Sequence, residues 1–140
     1  MPGDDLAALE QLLLRDLPAL PAAPLPAHLP ALRTVDLDDL PGLEDLTGLE
    51  DAGNLESVHL ARLPAVTHVP DLHGANRLRE LVLEDLPGVT DLSPVGGLAV
   101  RALRLDQLGG VTDLSGLTDL DQLTELVIGG CQQFTSLAGL

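Results

Sequence analysis

The sequence predicts a solenoid: a stack of short repeats sharing one parallel β-sheet on a concave face, with turns, 3₁₀ or short helical segments on the convex return path. Three observations predict it. First, the chain has 140 residues and is 45% apolar, yet Phe134 is its single aromatic residue. A core of Leu, Val and Ala suits repetition of one small packing unit better than a core anchored on large rings. Second, apolar residues recur at a fixed shift. Leu32, Leu55, Leu78, Val100 and Leu123 align at intervals of 23 residues, one of them shortened to 22. Third, the positions between these columns differ from copy to copy, as expected of a surface that packing does not dictate.

The columns define the unit. Three residues after Leu32 comes the column Val35, Val58, Leu81, Leu103 and Leu126. Two residues further stand Leu37, Leu60, Leu83, Leu105 and Ile128. Four more columns, starting at Leu40, Leu43, Leu46 and Leu49, end at Cys131, Phe134, Leu137 and Leu140. Residues 32–140 are therefore repeats of about 23 residues, the last one incomplete. Residues 1–31 have two readings. Leu9, Leu12, Leu14, Leu17 and Leu20 stand one period before the next copy, which makes a degenerate repeat leading into the Pro-rich stretch Pro21 to Pro30. Alternatively, residues 5–17 form a capping helix started by Asp4 or Asp5, with Leu6, Leu9, Leu13 and Leu17 on one face. At the other end Leu140 is an inward position partway through a unit. Stacked repeats need polar caps, so a missing flanking domain or self-association is expected to cover that end.

The pattern L-x-x-L-x-L, repeated at this period, resembles the leucine-rich-repeat family. Segments such as Leu86 to Val95 (LPGVTDLSPV) and Leu108 to Leu117 (LGGVTDLSGL) are similar to bacterial repeats, including those of actinobacterial NACHT-associated proteins. The resemblance covers residues 9–140. It implies a binding scaffold, with no chemistry of its own. One departure stands out. The column of Leu40, Leu63, Leu86 and Leu108 carries Asn or Cys in the commonest family pattern, and here only Cys131 conforms. Another group must then satisfy the turn amides that an Asn ladder would bind.

Alternation along each L-x-L piece gives a strand with Leu81 and Leu83 inward and Glu80, Val82 and Glu84 outward. The pairs Pro41-Gly42, Pro87-Gly88 and Gly109-Gly110 then turn the chain off the sheet. Thr90-Asp91 and Thr112-Asp113 cap the following turn. Four outward columns follow from this register: Gln11, Thr34, Ser57, Glu80, Ala102 and Glu125; Leu13, Asp36, His59, Val82, Arg104 and Val127; Arg15, Asp38, Ala61, Glu84, Asp106 and Gly129; and, at the rim, Asp16, Asp39, Arg62, Asp85, Gln107 and Gly130. From them Asp36, Asp38, Asp39, His59, Arg62, Glu80, Val82, Glu84, Asp85, Arg104 and Asp106 are the expected partner-binding residues. The acids gather toward the first half of the face, with His59 and Arg62 between them. A protein or peptide presenting Arg or Lys is the expected ligand.

Charge narrows the classes further. Twenty-two acids oppose seven bases, all of them Arg, for a formal charge of −15. Nucleic acid is not expected as a partner, because binding it requires phosphate neutralisation. An anionic membrane surface is disfavoured for the same reason, and no apolar run is long enough to span a bilayer. The N-terminus carries Asp4 and Asp5 where a secretory signal would carry bases, so a cytoplasmic location is expected.

Catalytic and cofactor chemistry find no support. His59 belongs to the sheet face, whereas His68 and His73 belong to the return path, which separates them as metal ligands. His28 lies in the Pro-rich stretch. No Ser, His and Asp are oriented as a triad, and Lys, required by a phosphate-binding loop, is absent. Cys131 is an inward residue and reads as a buried small apolar group. The expected function is a protein-recognition scaffold, not an enzyme, with no cofactor or metal. The alternative is the recognition arm of a larger signalling ATPase or effector enzyme whose catalytic domain lies outside this chain.

Overall fold

A computed structural model describes residues 7–20 and 29–136. The Pro-rich run over 21–28 (with His28), the capping acids Asp4 and Asp5, and the column ends Leu137 and Leu140 lie outside them. Six five-residue strands form one parallel sheet in chain order. They are β1 (Gln11–Arg15), β2 (Thr34–Asp38), β3 (Ser57–Ala61), β4 (Glu80–Glu84), β5 (Ala102–Asp106) and β6 (Glu125–Gly129). Parallel neighbours require a crossover between them; from β2 to β6 each crossover is one turn of the solenoid. The fold is the predicted solenoid of the leucine-rich-repeat type. Gln11–Arg15 is a strand paired with β2 along its whole length, not part of a helix over 5–17.

The ladder aligns the columns read from the sequence. Leu14, Leu37, Leu60, Leu83, Leu105 and Ile128 are successive partners across the sheet. Leu37, Leu60, Leu83 and Leu105 are buried. Leu14 and Ile128 are only partly covered, since an outer strand has one neighbour rather than two. The same lowers the cover over Cys131, which is half-buried rather than buried and donates a weak hydrogen bond to the Gly129 carbonyl at 3.3 Å.

The turn leaving each strand explains the missing Asn ladder. Leu43 N–H donates to the Leu40 carbonyl, Val66 to Leu63, Val89 to Leu86, Val111 to Leu108 and Phe134 to Cys131. Each unit thus closes its own four-residue turn through the main chain, and an apolar Leu can fill the column. Gly88 and Gly110 have negative φ, so they are not there for backbone freedom. A Cβ on Gly88 would stand 2.7 Å from the Val66 carbonyl oxygen, and one on Gly110 would stand 2.8 Å from that of Val89. They let successive turns approach closely.

The rim column adopts a conformation that the alternation pattern does not show. Asp16, Asp39, Arg62, Asp85 and Gln107 all have φ between 49° and 57°, and Gly130 has φ of 60°. This left-handed step turns the chain off the sheet while the rim amide still extends the ladder, as Asp39 N–H does to the Ala61 carbonyl. Asp is among the residues that tolerate it, and Asp fills three of the six positions. Further along, 3₁₀ turns cover Thr47–Asp51 and Ser93–Val95. The acids of the Glu44-Asp45, Thr90-Asp91 and Thr112-Asp113 pairs do accept the turn amide, two residues on: Asp45 from Thr47, Asp91 from Ser93 and Asp113 from Ser115.

Candidate functional site

The exposed face of the sheet carries the four outward columns in the predicted register. Its middle column runs Leu13, Asp36, His59, Val82, Arg104 and Val127. Leu13 is 52% exposed and Val127 42% exposed, so apolar side chains mark both ends of a polar centre. Parallel strands lie about 4.8 Å apart, which makes the six-stranded face roughly 24 Å across.

The acids on this face are not equivalent. Asp36 points outward but is only 8% exposed. Arg15, one strand away, donates to its Oδ2, and His59 Nδ1 stands 3.7 Å from its Oδ1. The same imidazole places Nε2 3.6 Å from Glu84 Oε2, so it bridges β2 to β4. These separations are ion-pair distances too long for hydrogen bonds, and Asp36 Oδ1 and His59 Nε2 have no direct hydrogen-bond partner. Arg62 closes on Asp38, with Nη2 2.7 Å from Oδ2. The guanidinium of Arg15 stays always charged beside Asp36, and that of Arg62 beside Asp38; each carboxylate holds its arginine's pKa above the usual value. The expected cluster therefore splits. Asp36 and Asp38 are each paired with an arginine of the same face, Arg15 and Arg62.

What remains outward lies farther along the stack. Glu80 accepts a 3.2 Å hydrogen bond from Ser57 Oγ, and Glu84 faces His59. Asp85 sits at the rim, and Asp106 lies 3.9 Å from Arg104. At the near rim Asp39 shares a hydrogen bond with Asp16, which together with burial raises its pKa. Ala61 is buried although its column faces outward, because longer side chains on both neighbouring strands overhang it. Arg15 and Leu13 were not among the expected binding residues. Each stands one period before an expected binding residue, Asp38 and Asp36 respectively, so the repeat alone places them on this face.

On the return path His73 is held between two acceptors, Asp71 Oδ1 at 2.5 Å from Nδ1 and the Gly96 carbonyl at 2.6 Å from Nε2. Both ring nitrogens donate only in the imidazolium, so these contacts raise its pKa. His68 instead meets Thr67 Oγ1. Among the described residues no group of three or more His, Cys, Asp or Glu is placed to hold a metal ion, and no helix is long and apolar enough to cross a membrane. No protein-family model matches the chain and no curated protein matches it in sequence, so what characterises it is the architecture itself: a six-stranded parallel solenoid whose inside repeats and whose sheet face does not.

Proposed function

We propose that this chain is a protein-recognition scaffold of the leucine-rich-repeat family that binds a protein or peptide across the exposed face of its sheet. One observation carries the reading. The inward columns are chemically uniform from unit to unit, whereas the middle outward column reads Leu, Asp, His, Val, Arg, Val. Packing explains sameness inside and leaves the outside free to be shaped by a partner. The ligand presents Arg or Lys to Glu80, Glu84, Asp85 and Asp106, with Val82 and Val127 as apolar contacts beside them. Opposite charges steer such an encounter and are screened over about 10 Å at 0.1 M salt.

The test is affinity capture from the source cell with the wild-type chain, with Glu84→Lys plus Asp85→Lys, and with Glu44→Lys plus Asp121→Lys. Asp45 is left untouched in the return-path control because it caps the turn at Thr47. A partner identified with the wild type, lost with the sheet-face pair and kept with the control supports the reading. Loss with the return-path pair alone places binding on the convex side and overturns it. A recognition arm of a larger signalling or effector enzyme would use the same face, and the full reading frame distinguishes that case.

A further inference from the structure

Seven arginines occur, and four of them face a carboxylate: Arg15 with Asp36, Arg33 with Glu10 and Glu56, Arg62 with Asp38, and Arg104 with Asp106. Arg77, Arg79 and Arg101 make no ion pair or side-chain hydrogen bond among the described residues. All three are exposed and line one groove of about 540 Å³, together with Asn76 and Gln122. It lies along the edge of the solenoid where the chain enters β4 and β5, away from the sheet face. In a chain with 22 acids and a formal charge of −15, three unpaired guanidinium groups side by side are not an averaged surface. Like charges repel, and partners were available in excess.

The groove coincides with the one irregularity of the repeat. Before each of β2 to β6 the chain makes a turn between two apolar residues: buried Leu29 and Leu32, Ala52 and Leu55, Ala75 and Leu78, Leu98 and Val100, then partly covered Leu120 and Leu123. Four of these turns hold two residues and close through a main-chain bond, as Leu78 N–H does to the Ala75 carbonyl. The turn before β5 holds one residue, Ala99, which is where the 23-residue interval shortens to 22. A small side chain and a missing residue leave a hollow between Asn76-Arg77 on one side and Gln122 on the other. Arg79 and Arg101 occupy equivalent positions in adjacent units, roughly one strand spacing of 4.8 Å apart. Glu56 also borders the groove, but it faces Arg33 at 3.7 Å.

We infer that this groove is a second binding site, one that takes a phosphate monoester. Three planar guanidinium forks around one hollow match the several acceptor oxygens and nearly double charge of a phosphoryl group. The amides of Asn76 and Gln122 add neutral donors. The charge of the ligand must be compact: an extended polyanion would leave the groove and meet the acidic remainder of the molecule. The volume lies within the range of small-ligand pockets and exceeds a bare phosphate, so the group arrives on a body, either a small molecule or a phosphorylated side chain.

The experiment is a ¹H–¹⁵N NMR titration of the full chain with three probes at equal ionic strength: O-phosphoserine, a Gly-Ala-phosphoserine-Ala-Gly peptide, and a tri-glutamate peptide. Saturable shifts at residues 76–79, 99–101 and 122 are expected with both phosphorylated probes and not with tri-glutamate. Tighter binding of the peptide assigns a phosphorylated segment, and equal binding assigns a small phosphate ester. Arg79→Gln with Arg101→Gln should weaken binding about 10-fold or more, Arg79→Lys with Arg101→Lys by less, and Arg104→Gln, on the sheet face, under about 2-fold. Absence of saturable shifts, equal loss with Arg104→Gln, or tri-glutamate binding as tightly as the phosphorylated probes overturns the inference. All these side chains are exposed, and far-UV circular dichroism verifies that each variant stays folded.

Discussion

Replacing Leu83 by alanine removes three carbons from an inward column in the middle of the stack. Leu83 is fully buried, with Leu60 and Leu105 as its partners on the two flanking strands. At about 0.8 kcal/mol per buried methylene the transfer loss is about 2.4 kcal/mol. The neighbours cannot close the gap freely, because each is fixed by its own ladder partner on the far side. A residual void of about 50 Å³ at roughly 24 cal/mol per Å³ contributes about 1.2 kcal/mol more, for a total near 3–4 kcal/mol. Val82→Ala, one residue earlier, removes two carbons from a half-buried outward position and should cost about 0.8 kcal/mol. The chain has no Trp or Tyr, so far-UV circular dichroism against urea is the suitable probe. The midpoint should fall several times further for Leu83→Ala, with the slope unchanged. Equal costs would mean that the sheet is one residue out of register, and every outward assignment would fall with it.

Other outcomes follow from single positions. Gln107 holds a left-handed φ of 56°; Gln107→Gly should stabilise by about 0.5–1 kcal/mol, and Gln107→Val should destabilise, both read as shifts in Tm. Gly110→Ala drives a Cβ to 2.8 Å from the Val89 carbonyl oxygen and should cost about 1–3 kcal/mol, whereas Gly109→Ala meets nothing within 4 Å and should be near neutral. His73 has a raised pKa in the fold, so its contribution is complete below its unfolded value near 6.5 and is lost as pH rises through the folded value. The Tm gap between wild type and His73→Ala should therefore be widest at about pH 5 and shrink by about pH 9; a gap that widens with pH would refute the paired imidazolium. The turn acids behave oppositely. Thr47 lowers the pKa of Asp45, Ser93 that of Asp91 and Ser115 that of Asp113. Their contribution is present above about 3.8 and lost as pH falls through the lowered values, so Asp91→Asn with Asp113→Asn should flatten the acid limb of a Tm-against-pH curve.

The repeat made the strands and their register legible, because a period-two pattern inside a 23-residue period leaves a single alignment that keeps every Leu inward. Positions decided by neighbouring units were harder to read. Asp36 faces outward by alternation, yet Arg15 and His59 from the adjacent strands cover it. Ala61 is outward by the same rule and is buried by longer neighbours. The left-handed rim was visible only as an excess of Asp, since Arg62 and Gln107 adopt it without any local signature. The cationic groove escaped a reading by columns because it forms where the columns slip, at the one-residue turn of Ala99.

That slip separates two kinds of variation on one scaffold. On the sheet face the units keep their length and vary their side chains, so the strand ladder continues through β4 and β5 in unbroken register despite the shortened interval. The missing residue is absorbed at the edge, where the turn before β5 lacks the closing bond that its neighbours make. Removing a residue within a strand would flip every following side chain, whereas removing one in an edge turn changes only the local outline. Side-chain variation on the sheet and length variation at the edge can therefore shape two surfaces independently. Inserting one residue beside Ala99 should fill the hollow and abolish the phosphate titration while leaving the sheet-face partner bound; loss of both would show that the edge and the sheet are a single site.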